Sequence, residues 1–364
     1  MSNYPDLSAV RRVLVVRMRH LGDVLLTSPV FTQLKKVLPT AEIDVFINQE
    51  SLPMLEGHPA ISRYFLYDRR KKVLGFFKKI AYEVSLLLAV RRAKYDLVLN
   101  LTEGDRGALI ALFSGARLRV GFDPGKSGFL GKRKIYTHLA KICPHPRHTV
   151  ERQLDVLRRI GIFPEEAERD LVFHIPQKSF EGSGLEKGSF VLIHPVSRWL
   201  FKSPPPHFFV ELIRALQQRG EHIVLSGGTD REGLALIEAI CREVPEVSNR
   251  AGQTDLKGLG ALISLSSLLI TVDSVPLHMA SALKTPVVAL FGPSSEVNWG
   301  PWMHPQARVV AANVSCRPCY MDGCGGSKRS DCLEKITVDQ VLGAVYSLKS
   351  SPKYEARASL LCKS

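Results

Sequence analysis

Two apolar runs separated by a short polar turn set the fold class of this chain. Residues 268–272 and 286–291 are continuous apolar runs that predict two buried strands. Between them, Asp273-Ser274-Val275-Pro276 leads into a predicted helix near Leu277. A strand, a tight turn and a helix N-terminus form the unit at which open α/β sheets bind ligands. The N–H groups and the dipole at such a helix start favour an anion.

The same turn has a purely structural interpretation. Asp273 is a candidate helix N-cap, or Ser274 is the cap with Pro276 in the first helical turn. Capping and ligand binding are compatible, so both interpretations stay open at this point.

The alternation of strands and helices extends through the chain. Apolar or β-branched runs predict further strands at residues 13–17, 42–47, 96–101, 118–122, 190–194 and 221–226. One amphipathic helix, with Val24, Phe31, Leu34 and Leu38 near one face, is predicted after the first strand. This alternation predicts parallel sheets. A Gly- and Pro-containing linker at 174–188 divides the chain into predicted domains 1–175 and 189–345, followed by a tail at 346–364.

Composition limits the compartment and the partners. The 364 residues suffice for two domains. No apolar run approaches the ~20 residues of a membrane span, and the N-terminus lacks the apolar core of a signal peptide, so we expect a cytoplasmic protein. The formal charge of +14 predicts an anionic partner. Nucleic acid is not favoured, because the chain has no RNP-like, zinc-finger or basic-zipper motif.

Basic residues concentrate at 63–79, where seven Lys and Arg accompany one acid and alternate with Phe, Leu and Val. Such a segment can lie on an anionic bilayer or bind an acidic substrate. The equally weighted alternative is a solvated basic loop joined to an ordinary core helix. Lys126, Lys132, Arg133 and Lys134 form a second basic patch in a Gly-rich loop.

Cofactor motifs are missing. The first strand is followed by Gly22-Asp23 and not by G-x-G-x-x-G, and there is no Walker A pattern, so no nucleotide cofactor is predicted. Cys316, Cys319, Cys324 and Cys332 have the spacing C-x2-C-x4-C-x7-C. They are candidate zinc ligands or reduced structural thiols, and the incomplete signature favours the thiols.

Small, polar and charged residues gather at predicted strand ends. Asp23 follows the first strand and is a candidate cleft carboxylate or an N-cap. In the second half the strand ends carry Ser197, Lys202, Gly227, Gly228, Glu232, Gly252, Asp273 and His278. A lysine and turn N–H groups at one sheet edge suit a diphosphate. Glu232 is a candidate ligand of ribose hydroxyls or an ordinary first-turn acid.

Together these motifs resemble the ADP-heptose:lipopolysaccharide heptosyltransferases, glycosyltransferase family 9, and most of all their heptosyltransferase III subgroup. The matching pieces, in order, are V-V-R-M-R-H-L-G-D at 15–23, H-P-x-S-R-W-x-x-K at 194–202, F-F-V-E-L-I at 208–213, Gly227-Gly228, D-S-V-P-L-H-M-A at 273–280 and F-G-P at 291–293. The terminal C-R-P-C cluster adds to the subgroup resemblance. Many family members have D-T-G-L-S-H where this chain has D-S-V-P-L-H.

The resemblance implies a GT-B fold, in which two Rossmann-like domains face each other across a cleft, and an inverting reaction that needs no metal and no cofactor. The absence of any D-x-D sequence agrees with that expectation. The resemblance implies ADP-heptose as donor, the lipid-linked lipopolysaccharide inner core as acceptor, and a place on the anionic cytoplasmic face of the inner membrane. A GT-B enzyme that uses another NDP-sugar, as a transferase or an epimerase, is the alternative. A non-enzymatic basic protein that binds anionic lipid or nucleic acid is a further one.

The implied site residues fall into three groups. Asp23 is the expected general base, and Lys202 the partner of the leaving diphosphate. The expected donor-binding residues are Ser197, Gly227, Gly228, Glu232, Asp273, Ser274, Val275, Pro276, Leu277 and His278. The expected acceptor-binding residues are Arg19, Arg63, Arg69, Arg70, Lys71 and Lys72.

Overall fold

The chain forms two compact units, residues 1–174 and 175–364. A computed structural model describes residues 4–73, 75–181, 184–352 and 354. The strands of the first unit are β1 (Arg12–Arg17), β2 (Glu42–Asn48), β3 (Arg63–Tyr67), β4 (Leu97–Asn100), β5 (Leu118–Phe122) and β6 (His138–Ala140). Its helices are α1 (Leu21–Leu25), α2 (Ser28–Val37), α3 (Phe76–Arg92), α4 (Asp105–Ser114) and α5 (Thr149–Arg158).

The first unit is built on one six-stranded parallel sheet with the order β3-β2-β1-β4-β5-β6. The central strands β1 and β4 are buried almost throughout, as expected for apolar strands covered on both faces. Strands β2 and β3 follow on one side of β1, and β4, β5 and β6 follow on its other side. The boundary between β1 and β4 is therefore a topological switch point, where ligands bind in such sheets.

Two details of the first unit differ from the sequence-based expectation. The single helix predicted after β1 is two helices, because Pro29 stands in the first turn of α2 and cannot donate to a continuing helical ladder. Strands β3 and β6 were not predicted. Strand β3 pairs with β2 and buries Phe65 and Tyr67, so the first five residues of the predicted basic segment are a sheet edge.

The second unit has the same architecture. Its strands are β7 (Phe190–His194), β8 (His222–Leu225), β9 (Ser248–Asn249), β10 (Leu268–Val272), β11 (Val287–Phe291) and β12 (Ala307–Ala311). They form a parallel sheet in the order β12-β11-β10-β7-β8-β9. Its helices are α6 (Pro206–Gln217), α7 (Arg231–Glu243), α8 (Leu256–Leu265), α9 (Val275–Leu283), α10 (Glu296–Trp299), α11 (Asp331–Glu334) and α12 (Val338–Lys349). Strand β12 was not predicted, but the predicted class of two parallel α/β sheets is confirmed.

Short 3-10 helices complete the description, at Gln49–Met54, Arg69–Val73, Lys132–Ile135, Glu166–Glu168, Gln177–Phe180, Leu200–Lys202 and Cys324–Gly326. The one at Gln177–Phe180 lies in the predicted linker and packs against α8 in the second unit. Helix α12 runs to Lys349 with Leu348 buried, four residues into the predicted tail. Residues 353 and 355–364 of that tail lie outside the described residues.

No helix within the described ranges combines the length and the apolar composition that crossing a membrane requires.

Each unit buries a neutral histidine. In the first, His58 Nε2 lies 3.2 Å from the Ser28 carbonyl oxygen, and Nδ1 accepts a hydrogen bond from the Ala60 N–H. In the second, His194 Nδ1 lies 3.0 Å from Ser226 Oγ at the end of β7. Burial lowers the pKa of both imidazoles from 6.5 to about 4.

These histidines predict a loss of stability in mild acid. Between pH 6.5 and 4 the unfolded chain protonates both rings and the folded chain does not, so the free energy of unfolding falls as the pH is lowered through this window. By pH 5 each ring costs roughly 2 kcal/mol. Urea unfolding at pH 7.5 and pH 5 measures the effect. His58→Gln should reduce the pH dependence, whereas His207→Gln, at an exposed histidine, should retain it. Full pH dependence in His58→Gln would contradict the assignment.

Candidate active site

A charged pair lies at the carboxyl ends of two neighbouring strands of the second unit. Lys202 ends the 3-10 turn that follows β7, and Asp273 directly follows β10. Lys202 Nζ donates to Asp273 Oδ2 at 2.7 Å. The lysine side chain is 24% exposed and the aspartate 7%. Because β7 is the first strand of this unit and β10 pairs with it, the pair stands at the topological switch point of the sheet.

Ser294 completes this cluster. It follows β11, the strand on the other side of β10, and its buried hydroxyl donates to the same Asp273 Oδ2 at 2.5 Å. The carboxylate thus receives one donor from each neighbouring strand end. Sequence reasoning missed Ser294, although it directly follows the recognised F-G-P motif at 291–293. The sequence signal that could have found Ser294 is its position three residues after the predicted buried strand at 286–291.

The start of α9 resolves the two structural interpretations of the turn. Ser274 is the N-cap residue and Pro276 lies in the first turn, as one of them proposed. Asp273 does not cap, because its carboxylate binds Lys202 and Ser294. The Ser274 hydroxyl donates instead to the Val272 carbonyl at 3.2 Å, so no side chain caps α9. In that first turn Pro276 has no N–H and the Leu277 N–H donates to the Ser274 carbonyl at 3.2 Å, so the dipole at the start of α9 is the feature that favours an anion.

The other predicted donor residues lie around the same sheet edge. Val275 and Leu277 belong to the first turn of α9, and His278 is buried one residue further on. The Ser197 hydroxyl is engaged in its own loop, where it donates to the Trp199 carbonyl and accepts from the Trp199 N–H. Ser197 therefore shapes the loop that carries Lys202, and its contact with a phosphate stays a prediction.

Glycines follow β8 for a steric reason. A Cβ on Gly227 would lie 2.3 Å from Ile237 Cδ1, so a side chain there would collide with α7. Two residues after Gly228, Asp230 caps α7 by accepting a hydrogen bond from the Gly233 N–H. Glu232 is an exposed acid in the first turn of that helix. This position fits the ordinary first-turn role, and binding of ribose stays a prediction.

The first unit places Asp23 beside a buried arginine. Asp23 lies inside α1, whose N-cap is His20, so the capping interpretation of Asp23 is wrong. Arg17 ends β1, and its guanidinium lies 3.4 Å from Asp23 Oδ1 and also donates to the Leu101 carbonyl. Burial lowers the pKa of Arg17, and the charge of Asp23 opposes that shift. Sequence reasoning did not assign Arg17, a charged residue that follows the four apolar residues 13–16 of β1.

Five of the six predicted acceptor-binding cations are exposed and already have partners. Arg19 pairs with Glu103 at 2.7 Å, Arg69 with Glu50 at 3.3 Å, and Arg70 with both carboxylate oxygens of Asp68. Lys71 lies over the Tyr82 ring, and Arg63 over Phe65 on the edge strand. The side chain of Lys72 is outside the described residues. Exposed ion pairs of this kind are weak, and phosphate binding by these residues stays a prediction.

The second basic patch needs a correction. Lys132 is buried, with its ammonium 2.6 Å from the Glu103 carbonyl oxygen and 3.0 Å from Asp105 Oδ1. It joins two segments of the first unit and does not belong to a basic surface patch.

Cys316, Cys319, Cys324 and Cys332 all belong to the described chain and are free thiols. Within that described part, no three His, Cys, Asp or Glu side chains are arranged to hold a metal ion.

Comparison with known proteins decides the family. The model of glycosyltransferase family 9 (heptosyltransferase) matches residues 84–328. The chain belongs to glycosyltransferase family 9. It is 37% identical over 352 residues to lipopolysaccharide heptosyltransferase 3 of Escherichia coli K12, which covers 94% of this chain and all of that protein. The predicted resemblance and the assignment as a heptosyl-transferring glycosyltransferase are confirmed.

Solved structures agree on the fold of this family 9 enzyme. A family 9 glycosyl transferase from Veillonella parvula superposes with a TM-score of 0.77 at 24% identity, covering 95% of this chain and 99% of that one. The E. coli ADP-heptose lps heptosyltransferase II gives 0.74 at 23% identity, covering 93% and 98%. The predicted GT-B class is confirmed.

The shared oxygen of Asp273 predicts that Ser294 matters for stability. Ser294→Ala should lower the free energy of unfolding by about 1.5–3 kcal/mol, because it removes a buried hydrogen bond to a charged group. Ser266→Ala is the matched control, since Ser266 is equally buried but donates to the neutral Ile263 carbonyl. It should cost about 0.5–1.5 kcal/mol. Equal losses in urea unfolding would show that Asp273 does not depend on Ser294.

Proposed function

We propose that this family 9 enzyme transfers L-glycero-D-manno-heptose from ADP-heptose to a heptose of the lipid-linked lipopolysaccharide inner core. The observation that carries the proposal is the Lys202–Asp273–Ser294 cluster at the switch point of the second sheet. The relative from E. coli K12 is named a lipopolysaccharide heptosyltransferase, and the solved E. coli structure is named for ADP-heptose. Both names support this donor and this acceptor class.

The second unit, with residues 189–345 as its proposed domain, holds the donor. Lys202 leaves Asp273 to pair with the diphosphate, while Ser294 keeps the aspartate in place. The uncapped first turn of α9, from Ser274 to Leu277, and the Ser197 loop surround the phosphates. Asp273 and His278 hold that turn against the heptose. The bare backbone at Gly227 and Gly228 admits the nucleotide, and Glu232 binds its ribose.

The first unit, with residues 1–175 as its proposed domain, holds the acceptor and the base. Asp23 removes the proton from the acceptor hydroxyl as that oxygen attacks the anomeric carbon. The C–O bond to ADP breaks on the opposite face, so the configuration inverts and ADP leaves with the bonding electrons. The ammonium of Lys202 and the start of α9 stabilise the negative charge on the leaving diphosphate, so the proposal needs no metal. Arg17 fixes the orientation of the Asp23 carboxylate.

The acceptor carries phosphates and a lipid anchor in this proposal. Arg19, Arg63, Arg69, Arg70, Lys71 and Lys72 bind its phosphates by displacing weak surface partners. The same positive charge supports peripheral attachment to the anionic cytoplasmic face of the inner membrane.

The base is tested with Asp23→Asn. The variant should bind ADP-heptose with unchanged affinity and turn over at least ~10²-fold more slowly, because it cannot accept the proton. Asp123→Asn is the control, since Asp123 also follows a strand of the first sheet and pairs with an arginine, Arg133. It should keep normal turnover. Normal turnover in Asp23→Asn would remove Asp23 from the mechanism.

The donor is tested by titration calorimetry with ADP, UDP and GDP. The enzyme should prefer ADP, and Lys202→Gln should weaken ADP binding at least about tenfold, because a charged hydrogen bond is lost and Asp273 is left to repel the diphosphate. Lys335→Gln, at an exposed lysine of the same unit, should bind ADP normally. A preference for UDP would instead support the alternative of another NDP-sugar.

A further inference from the structure

Helix α3 has two apolar faces, and the core uses one of them. Tyr82, Leu86, Leu87 and Ala89 pack against the core of the first unit, and Val90 is the one residue of this described helix that is buried. A second stripe points to solvent. It consists of Phe76, Phe77, Ile80, Val84 and Leu88, with exposures from 45% to 84%. Phe76, Ile80, Val84 and Leu88 follow at intervals of four residues, and Phe77 lies three before Ile80, so the stripe runs along one side of the helix.

Helix α4 adds three further exposed apolar residues beside α3. It packs beside α3 and exposes Leu109, Leu112 and Phe113. A cavity of about 370 Å³ lies between the two helices, where Leu86 and Leu87 face Leu109 and Ile110. We call the eight exposed apolar residues of the two helices the α3–α4 surface. Exposed large apolar side chains grouped on two neighbouring helices in this way indicate an interaction site.

Positive charge flanks the apolar stripe of α3. Residues 69–92 contain eight Lys and Arg and a single acid, Glu83. That acid is neutralised by Arg106 at 2.7 Å. Lys78 and Lys79 lie in the first turn of α3, and Arg91 and Arg92 in its last. An apolar stripe with cations at both ends matches a helix that lies in the headgroup region of an anionic bilayer.

We propose that the α3–α4 surface docks on an anionic lipid bilayer, with its apolar side chains among the upper acyl segments and the flanking cations among the headgroups. The inference deepens the proposed function and rests on it for the lipid-linked acceptor. The proposal assigns different roles to two sets of residues. The cations at 63–72 bind acceptor phosphates, and the stripe of α3 holds the first unit at the membrane.

Vesicle sedimentation tests the docking directly. The intact enzyme is mixed with phosphatidylglycerol–phosphatidylethanolamine vesicles or with pure phosphatidylcholine vesicles. We expect binding to the anionic vesicles in 0.15 M salt, with a fraction retained in 1 M salt, because apolar insertion is not screened. The variant Phe76→Ser/Phe77→Ser/Ile80→Ser should partition at least about tenfold less. These residues are exposed, so circular dichroism should show an intact fold.

The matched control replaces exposed apolar residues elsewhere in the first unit. Leu130→Ser/Phe163→Ser should partition as the parent enzyme does. Equal partitioning of the α3 triple variant and the parent would overturn the proposal, as would binding that disappears entirely in 1 M salt. Absence of binding to anionic vesicles would also overturn it and would leave a protein partner as the occupant of this surface.

Turnover distinguishes failure of this inference from failure of the proposed function. The α3 triple variant should transfer heptose normally to a deacylated, water-soluble acceptor and at least about tenfold more slowly to an acceptor embedded in vesicles. Equal rates on the embedded acceptor would contradict membrane docking by α3. Absence of transfer by the parent enzyme to either acceptor would contradict the proposed function and leave the sedimentation result unaffected.

Discussion

A carboxylate that is almost withdrawn from water must be paired, and the second unit is arranged around this requirement. Asp273 receives Lys202 from the end of β7 and Ser294 from the end of β11, the two strands that flank its own. Removing either donor would leave buried negative charge with less compensation. The hydrogen bonds among Lys202, Asp273 and Ser294 therefore constrain the three loops that carry these residues. The Lys202 ammonium group also lies at the switch point of the sheet, where this class of sheet binds ligands.

The segment at residues 316–332, which carries four cysteines, supports these loops from outside the sheet. Arg317 donates to the Gly292 carbonyl at 2.6 Å and to Glu296 at 3.0 Å, and the Cys319 and Tyr320 N–H groups both donate to Pro293. Ser330 Oγ donates to the Phe201 carbonyl at 2.6 Å, beside Lys202. One segment thus holds both the loop of Ser294 and the loop of Lys202. Its hydrogen bonds therefore position the two loops that carry Lys202 and Ser294.

Sequence reasoning succeeded where a signal was local and failed where it depended on sheet order. Continuous apolar runs identified β7 and β10, and the residues after them identified Lys202 and Asp273. Ser294 could not be assigned in this way, because its role requires that β11 lie next to β10. Strand β3 was hidden by Arg63 and by its position at a sheet edge, where alternate residues face the core. The two apolar faces of α3 could not be separated without knowing which one the core covers.

In the proposed mechanism, Lys202 moves from Asp273 to the diphosphate of the donor while Ser294 retains the aspartate. A crystal structure of the enzyme with ADP tests this exchange most directly. We expect Lys202 Nζ within about 3 Å of a β-phosphate oxygen, with Ser294 Oγ still bound to Asp273. A bound ADP whose diphosphate lies away from the start of α9, with the Lys202–Asp273 pair unchanged, would contradict it.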